Sequence, residues 1–164
     1  MRWLAVIAIV CGCSNGAKRE DGAMPPPKPT PKPAQAEQQT TAKVYLDTPR
    51  GEVAVNVEVV STEPKIERGL MYREHLPLDA GMLFMMGYEK DWSFWMKNTL
   101  IPLDMIFIKK DMTIAGISEN AEPQTETLRK VGVPSLYVLE VNGGWTRSTG
   151  VMAGAKVRFE GVTQ

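Results

Sequence analysis

The sequence predicts one mainly β domain, a β-sandwich or half-open barrel with one or two short helices. Three observations predict it. Short runs rich in β-branched and aromatic residues recur between Lys43 and Phe159, turn signals separate them, and only one stretch carries a clear helical start. The folded part is expected from Ala42 to Gln164. That length suits a single core, and no internal repeat divides it.

Each element has its own local signal. Lys43-Val-Tyr-Leu46 and Val53 to Val60 read as two strands joined through the turn Thr48-Pro-Arg-Gly51. A helix follows: Ser61 or Thr62 can cap it, Pro64 suits its first turn, and Ile66, Leu70 and Arg73 fall near one stripe. Gly69 is then inside a helix, where it costs about 1 kcal/mol relative to Ala and implies a close backbone approach. Apolar runs over Gly81–Met86, Trp92–Met96, Leu103–Ile108, Met112–Ser118 and Leu136–Val141 read as strands, and Lys156–Phe159 as the last one. Lys109-Lys-Asp111 reads as a hairpin turn between two of them.

The residues before Ala42 are organised differently. Arg2 precedes a short apolar run, Trp3 to Val10, too short to span a bilayer and typical of a secretory signal. Val10-Cys11-Gly12-Cys13 resembles a bacterial lipobox, with small Gly12 at the cleavage position and Cys13 as the acylated (palmitate-bearing) first mature residue. Residues 1–12 are expected to be the signal and residues 13–41 a lipidated cysteine plus a Pro-rich tether. Pro25 to Pro33 favours polyproline II, so the tether reaches roughly 80–90 Å when extended. Ser14, rather than an Asp, follows the cysteine, which points to the periplasmic side of an outer membrane or the cell surface. Two acyl chains give a firm anchor.

Composition excludes several classes of function. Both cysteines lie in the signal region, so neither a disulfide framework nor a thiol nucleophile is available to the domain. The chain has 19 basic and 19 acidic residues, which leaves no electrostatic footprint for nucleic acid. His75 is the only histidine, and no Gly-rich phosphate loop or nucleophile motif accompanies it.

Five blocks carry a family resemblance: Arg68-Gly-Leu-Met-Tyr-Arg73, Gly81-Met-Leu-Phe84, Phe94-Trp-Met-Lys-Asn-Thr99, Pro102-Leu-Asp-Met-Ile-Phe107 and Val138-Leu-Glu-Val141. In this order and spacing the chain closely resembles domain-of-unknown-function family 192, also called uncharacterised protein family 0127, over about residues 44–161. The resemblance implies a compact β-sandwich, secreted or membrane-attached, with no accepted biochemical activity. One departure stands near the C-terminus: Gly154-Ala155 occupies the place of the family's usual Gly-Asp.

The candidate chemistry centres on Ser93 to Ile108, where two aromatics and the polar knot Lys97-Asn-Thr99 lead into an apolar run interrupted by Asp104. Strand alternation puts Asp104 with Ile106 and Ile108, and Glu140 with Leu136 and Val138, so both carboxylates are expected at least half buried. A buried carboxylate needs partners, and Arg68, Arg73, Lys97 and Asn98 are the natural ones. One reading is a structural network docking the helix on the sheet. The other is a polar pocket near Trp95–Asp104, formed by Arg68, Arg73, Trp95, Lys97, Asn98, Thr99, Asp104 and Glu140, that binds a small molecule, a peptide or an envelope protein. Trp92, Trp95 and Trp145 can line such a surface or fill the core. An alternative is a hydrolase of envelope material using Asp104 and Glu140 as an acid/base pair about 5–10 Å apart. A second is Cu(I) binding by methionines, although Met82 and Met85 of one strand would face opposite ways. No resident cofactor is expected.

Overall fold

The computed structural model of the protein describes residues 42–163. Within them the chain runs β1 (Ala42–Thr48), β2 (Gly51–Val60), α1 (Glu63–Arg68), β3 (Ala80–Lys90), β4 (Leu103–Ile108), β5 (Ile114–Ala121), β6 (Ser135–Asn142), α2 (Trp145–Thr149) and β7 (Val157–Glu160). The strands form one seven-stranded sheet in the order β5-β4-β6-β3-β2-β1-β7. Neighbours pair antiparallel except β2 and β3, which are parallel and joined by the crossover through α1. The expected signal, the expected tether and Cys13 lie outside the described residues.

The sheet curls until its two edges touch at one end. Thr113 bridges Lys156, the Ile114 amide donates to the Ala155 carbonyl at 3.0 Å, and the Gly154 amide donates to the Ile114 carbonyl at 2.8 Å. The rest of the β5 and β7 edges is not paired in the sheet, so the barrel is half open. The expected fold class holds. Ala155 serves this seam with its backbone, and its side chain packs against the interior.

Register divides the apolar residues between two cores. Leu83 and Met85 of β3, Ile106 and Ile108 of β4, and Leu139 and Val141 of β6 point inward with Val44, Leu46, Val55 and Val57. Met82, Phe84, Leu103, Met105, Phe107 and Val138 point outward, where Leu70, Leu76 and Met96 cover them. Every residue of β4 is buried. That explains its near-continuous apolar run, since a strand covered on both faces has no reason to alternate.

The structure corrects three local expectations. Trp92–Met96 is not a strand: it crosses the outer face with one bridge, Phe94 to Arg129. Gly69 is not inside the helix but ends it, at φ +44°, and a Cβ there would lie 3.2 Å from the Phe84 ring. Its close approach is therefore real, but the reason is helix termination against β3. Arg73 stands beyond the helix, in the turn that follows.

Gly81 sits where β2, β3 and β6 are tightest. A Cβ there would meet the Glu140 carbonyl at 2.6 Å and Val55 at 3.1 Å. Gly81→Ala is expected to destabilise the protein by about 1–3 kcal/mol, read as a lower urea midpoint. An unchanged midpoint would mean that the central strands yield more easily than this packing implies.

Candidate functional site

The two buried carboxylates end up on opposite sides of the sheet. Asp104 is opposite Val141 and faces the interior, while Glu140 is opposite Met105 and faces outward. They cannot serve as one acid/base pair, which removes the geometric basis of the hydrolase alternative. The sheet that separates them gives each a different role.

Asp104 is fully buried, and all its partners are backbone or hydroxyl donors. Its Oδ1 accepts from the amides of Asn120 at 2.7 Å and Gly144 at 2.9 Å. Its Oδ2 accepts from the Thr146 amide at 2.8 Å and the Thr146 hydroxyl at 2.6 Å. The local backbone is built for this. The β4–β5 register slips between Leu103 and Met105, leaving Asn120 at φ +46° with its amide aimed at the carboxylate. Gly144, at φ +81°, turns the chain into α2, and the carboxylate accepts from this N-cap amide and from the amide of Thr146 inside the helix. Gly143 is squeezed beside it: a Cβ would lie 2.7 Å from Asn120 Oδ1 and 2.9 Å from Pro102. None of the expected cationic partners takes part.

Glu140 is different. It is 4% exposed, and its flanking neighbours on the sheet are Met82 and Met105. Burial alone pushes its carboxyl up to about 8, with no hydrogen bond or neighbouring charge contributing. It lines a cavity of about 360 Å³ on the outer face. Ile66, Leu70, Phe84, Phe94, Trp95 and Leu128 are among the walls, and Trp92, Met71, Met86 and Thr99 also line it.

Three stretches of chain frame this cavity. Strand β3 supplies Phe84, which stacks edge-on to Phe94 at 5.3 Å, and Phe94 in turn meets Phe107 at 6.1 Å. Helix α1 and the turn after it supply Ile66 through Met71. The third stretch, Trp92 to Thr99, hangs from the backbone of Gln124 to Arg129. Phe94 and Arg129 exchange amide hydrogen bonds, Met96 donates to Thr125, and Gln124 donates to Thr99. The Tyr72 amide donates to the Asn98 carbonyl at 2.8 Å, clasping the second wall to the third. Both residues of this clasp have positive φ, +64° and +57°. For Tyr72, a bulky aromatic, that conformation is strained.

The residues expected to share one pocket therefore divide. Arg68, Trp95, Thr99 and Glu140 line the cavity together. Lys97 lies over the Trp95 ring at 5.2 Å, pairs with Glu126 and does not line it. Asn98 holds the rim through its backbone, and Asp104 belongs to the knot across the sheet. Arg73 forms a two-pronged pair with Glu58, which holds that carboxyl below its ordinary range. The pair lies in a wider groove of about 840 Å³, which shares Arg68, Gly69 and Met71 with the Glu140 cavity. The cavity is thus mainly apolar, with Glu67, Arg68 and Glu140 as its charged lining residues. Trp145 packs on the interior core, while Met82 and Met96 fill the outer one.

Several site residues escaped the sequence reading. Phe84, Phe94 and Leu128 line the cavity, and Gly143, Gly144 and Thr146 build the Asp104 knot. The Gly-Gly pair before Trp145 was a legible turn signal. Nothing in the sequence announced that Leu128 would reach the cavity from a stretch without regular structure.

A model of domain-of-unknown-function family 192, described as an uncharacterized ACR, matches residues 45–159. Two solved structures are similar. One, a proposed transcription regulator from Sinorhizobium meliloti 1021, is 40% identical with a TM-score of 0.71, covering 74% of this chain and 95% of its own. The other, a protein of unknown function from Novosphingobium aromaticivorans DSM 12444, is 36% identical with a TM-score of 0.69, covering 71% of this chain and 83% of its own. No curated protein matches the chain.

Two predictions follow from the two acids. Asp104→Ala leaves three amides and a hydroxyl buried without their acceptor, and is expected to destabilise the protein by at least about 3 kcal/mol, measured by urea unfolding. A loss under about 1 kcal/mol would show that water replaces the carboxylate. Glu140 acts with the opposite sign. Its folded value of about 8 lies above its ordinary value of 4.5, so between those pH values the native state holds a proton that the unfolded state has released. Its contribution is fully present below about pH 4.5 and is lost as pH rises to 8, on the order of 3–5 kcal/mol in all. Glu140→Gln should flatten that slope and be more stable than the wild type at pH 8. Parallel curves for the two proteins would refute the assignment.

Proposed function

Because the chain belongs to domain-of-unknown-function family 192, whose description assigns no activity, we propose a function from the site itself: it is a binding domain, anchored by lipid in the cell envelope, that takes a small, mainly apolar molecule into the Glu140 cavity. One observation carries this reading. Among the described residues nothing pairs with the Glu140 carboxyl, which lines an aromatic-walled cavity where burial without compensation is unfavourable. A structural acid is expected to be satisfied, as Asp104 is. An acid left open to a cavity of this size is a recognition group awaiting a partner.

The envelope location rests on the sequence. Arg2, the apolar run and Val10-Cys11-Gly12-Cys13 suit export and acylation at Cys13. The Pro-rich tether suits a domain held off the membrane, facing the periplasm or the exterior. The role given to the Sinorhizobium relative, transcription regulation, finds no support in an even balance of 19 basic and 19 acidic residues.

Each half of the proposal has its own test. Cells given an alkyne analogue of palmitate should label the wild-type protein and not Cys13→Ser, and equal labelling would sink the anchor. Protein recovered gently from its host should carry a small adduct in native mass spectrometry that denaturation releases. Leu128→Trp, at a position 60% exposed on the cavity wall, should crowd the cavity and lose the adduct while keeping its unfolding midpoint. A bare mass for the wild type, with no response of tryptophan fluorescence to small aromatic probes, would overturn the cavity reading.

A further inference from the structure

We infer that the ligand of the Glu140 cavity is an organic cation, an amine or quaternary ammonium carried on an apolar body. This rests on the cavity being the binding site and goes one step further, to the chemistry of its occupant. Recognition of such cations uses two features together, aromatic faces and a desolvated negative partner. Phe84, Trp92, Phe94 and Trp95 supply rings to the walls. Glu140 supplies the carboxyl.

The surroundings of Glu140 leave that partner to come from outside. On the sheet face it meets Met82 of β3 and Met105 of β4, neither of which carries charge. The Trp92–Thr99 stretch contributes Trp92, Ser93, Phe94, Trp95 and Thr99 to the lining, none of them charged. Its lysine, Lys97, lies on the Trp95 ring and beside Glu126. Lys90 lies over the Trp92 ring at 5.1 Å, outside the lining. The turn after α1 contributes Gly69, Leu70 and Met71, and the Gln124–Arg129 stretch contributes Leu128. Only α1 brings charge to the lining, as Glu67 and Arg68, one of each sign. Those two charges offset each other, so the carboxyl of Glu140 decides the sign of charge that the lining favours.

Ionisation of Glu140 gives the inference a pH signature. An acid with a value near 8 is about one-tenth ionised at pH 7 and about nine-tenths ionised at pH 9, so a cation selecting the carboxylate binds about tenfold more tightly at the higher pH. A neutral ligand that accepts the proton of the acid shows the opposite trend.

The test uses the full chain and two probes of the same shape, phenyltrimethylammonium and its neutral isostere tert-butylbenzene, titrated at pH 7 and pH 9 with tryptophan fluorescence as readout. The quaternary probe does not titrate, so its pH dependence reports on the protein. The expected result is tighter binding of the ammonium than of the isostere, with about a tenfold gain on going to pH 9. Glu140→Gln should abolish the gain and leave the isostere unaffected. Should that variant not fold, the wild-type pair at two pH values still decides the matter. Equal or tighter binding of the isostere at both pH values would overturn the cation and leave the cavity as the binding site. Binding of neither probe would overturn both.

Discussion

The fold depends on one buried carboxylate holding four donors inside a half-closed sheet. Asp104 gathers the bulged end of β5, the Gly143-Gly144 turn and the amide and hydroxyl of Thr146 in α2 onto the start of β4. Those three pieces come from chain segments 16 to 42 residues away. Each leaves backbone donors that regular pairing does not use, and a buried unpaired donor is costly. A single acid at the junction satisfies them together. With that junction fixed, the chain leaving β6 is turned back across the open end and delivered to the seam where β5 and β7 meet.

The central strands set the second constraint. Because β3, β4 and β6 are apolar on both faces, the sheet cannot stand as one wall of a simple barrel. The outer face needs a cover, and the cover is made from segments with little regular structure: α1, the turn after it, and the stretch from Trp92 to Thr99. A cover of loops fits less evenly than a second sheet. The cavity opens where those pieces meet above Glu140, so the same two-sided burial that stabilises the strands creates the site.

Much of this was legible in the sequence, and what was not has physical reasons. The strands could be read because β-branched runs and turn residues are local signals. The burial of Asp104 and Glu140 could be read because each shares its face with apolar residues, in strands apolar on both sides. The faces of the two acids were legible as well, but only relative to their own strands. Whether Asp104 and Glu140 shared a face depended on the β4–β6 register, which pairs Asp104 with Val141 and Met105 with Glu140. A shift of one residue would have put them together. Their partners were misjudged for a related reason. A buried acid suggests a basic side chain, yet at Asp104 the donors are amides, which every residue carries and no sequence advertises. The Trp92–Met96 run failed as a strand because covering a sheet and belonging to one demand the same apolar residues.

The placement of β1 carries a consequence for how the chain comes to be folded. The first described strand lies between β2 and the last, with Lys43 opposite Glu160 and Leu46 opposite Val157. The sheet therefore cannot be completed until the far end of the chain is present. Contacts so distant in sequence form late, because a long loop must close before they yield any stabilisation. Until the residues of β7 are available, β1 has one edge bare and the seam between Thr113 and Lys156 cannot form.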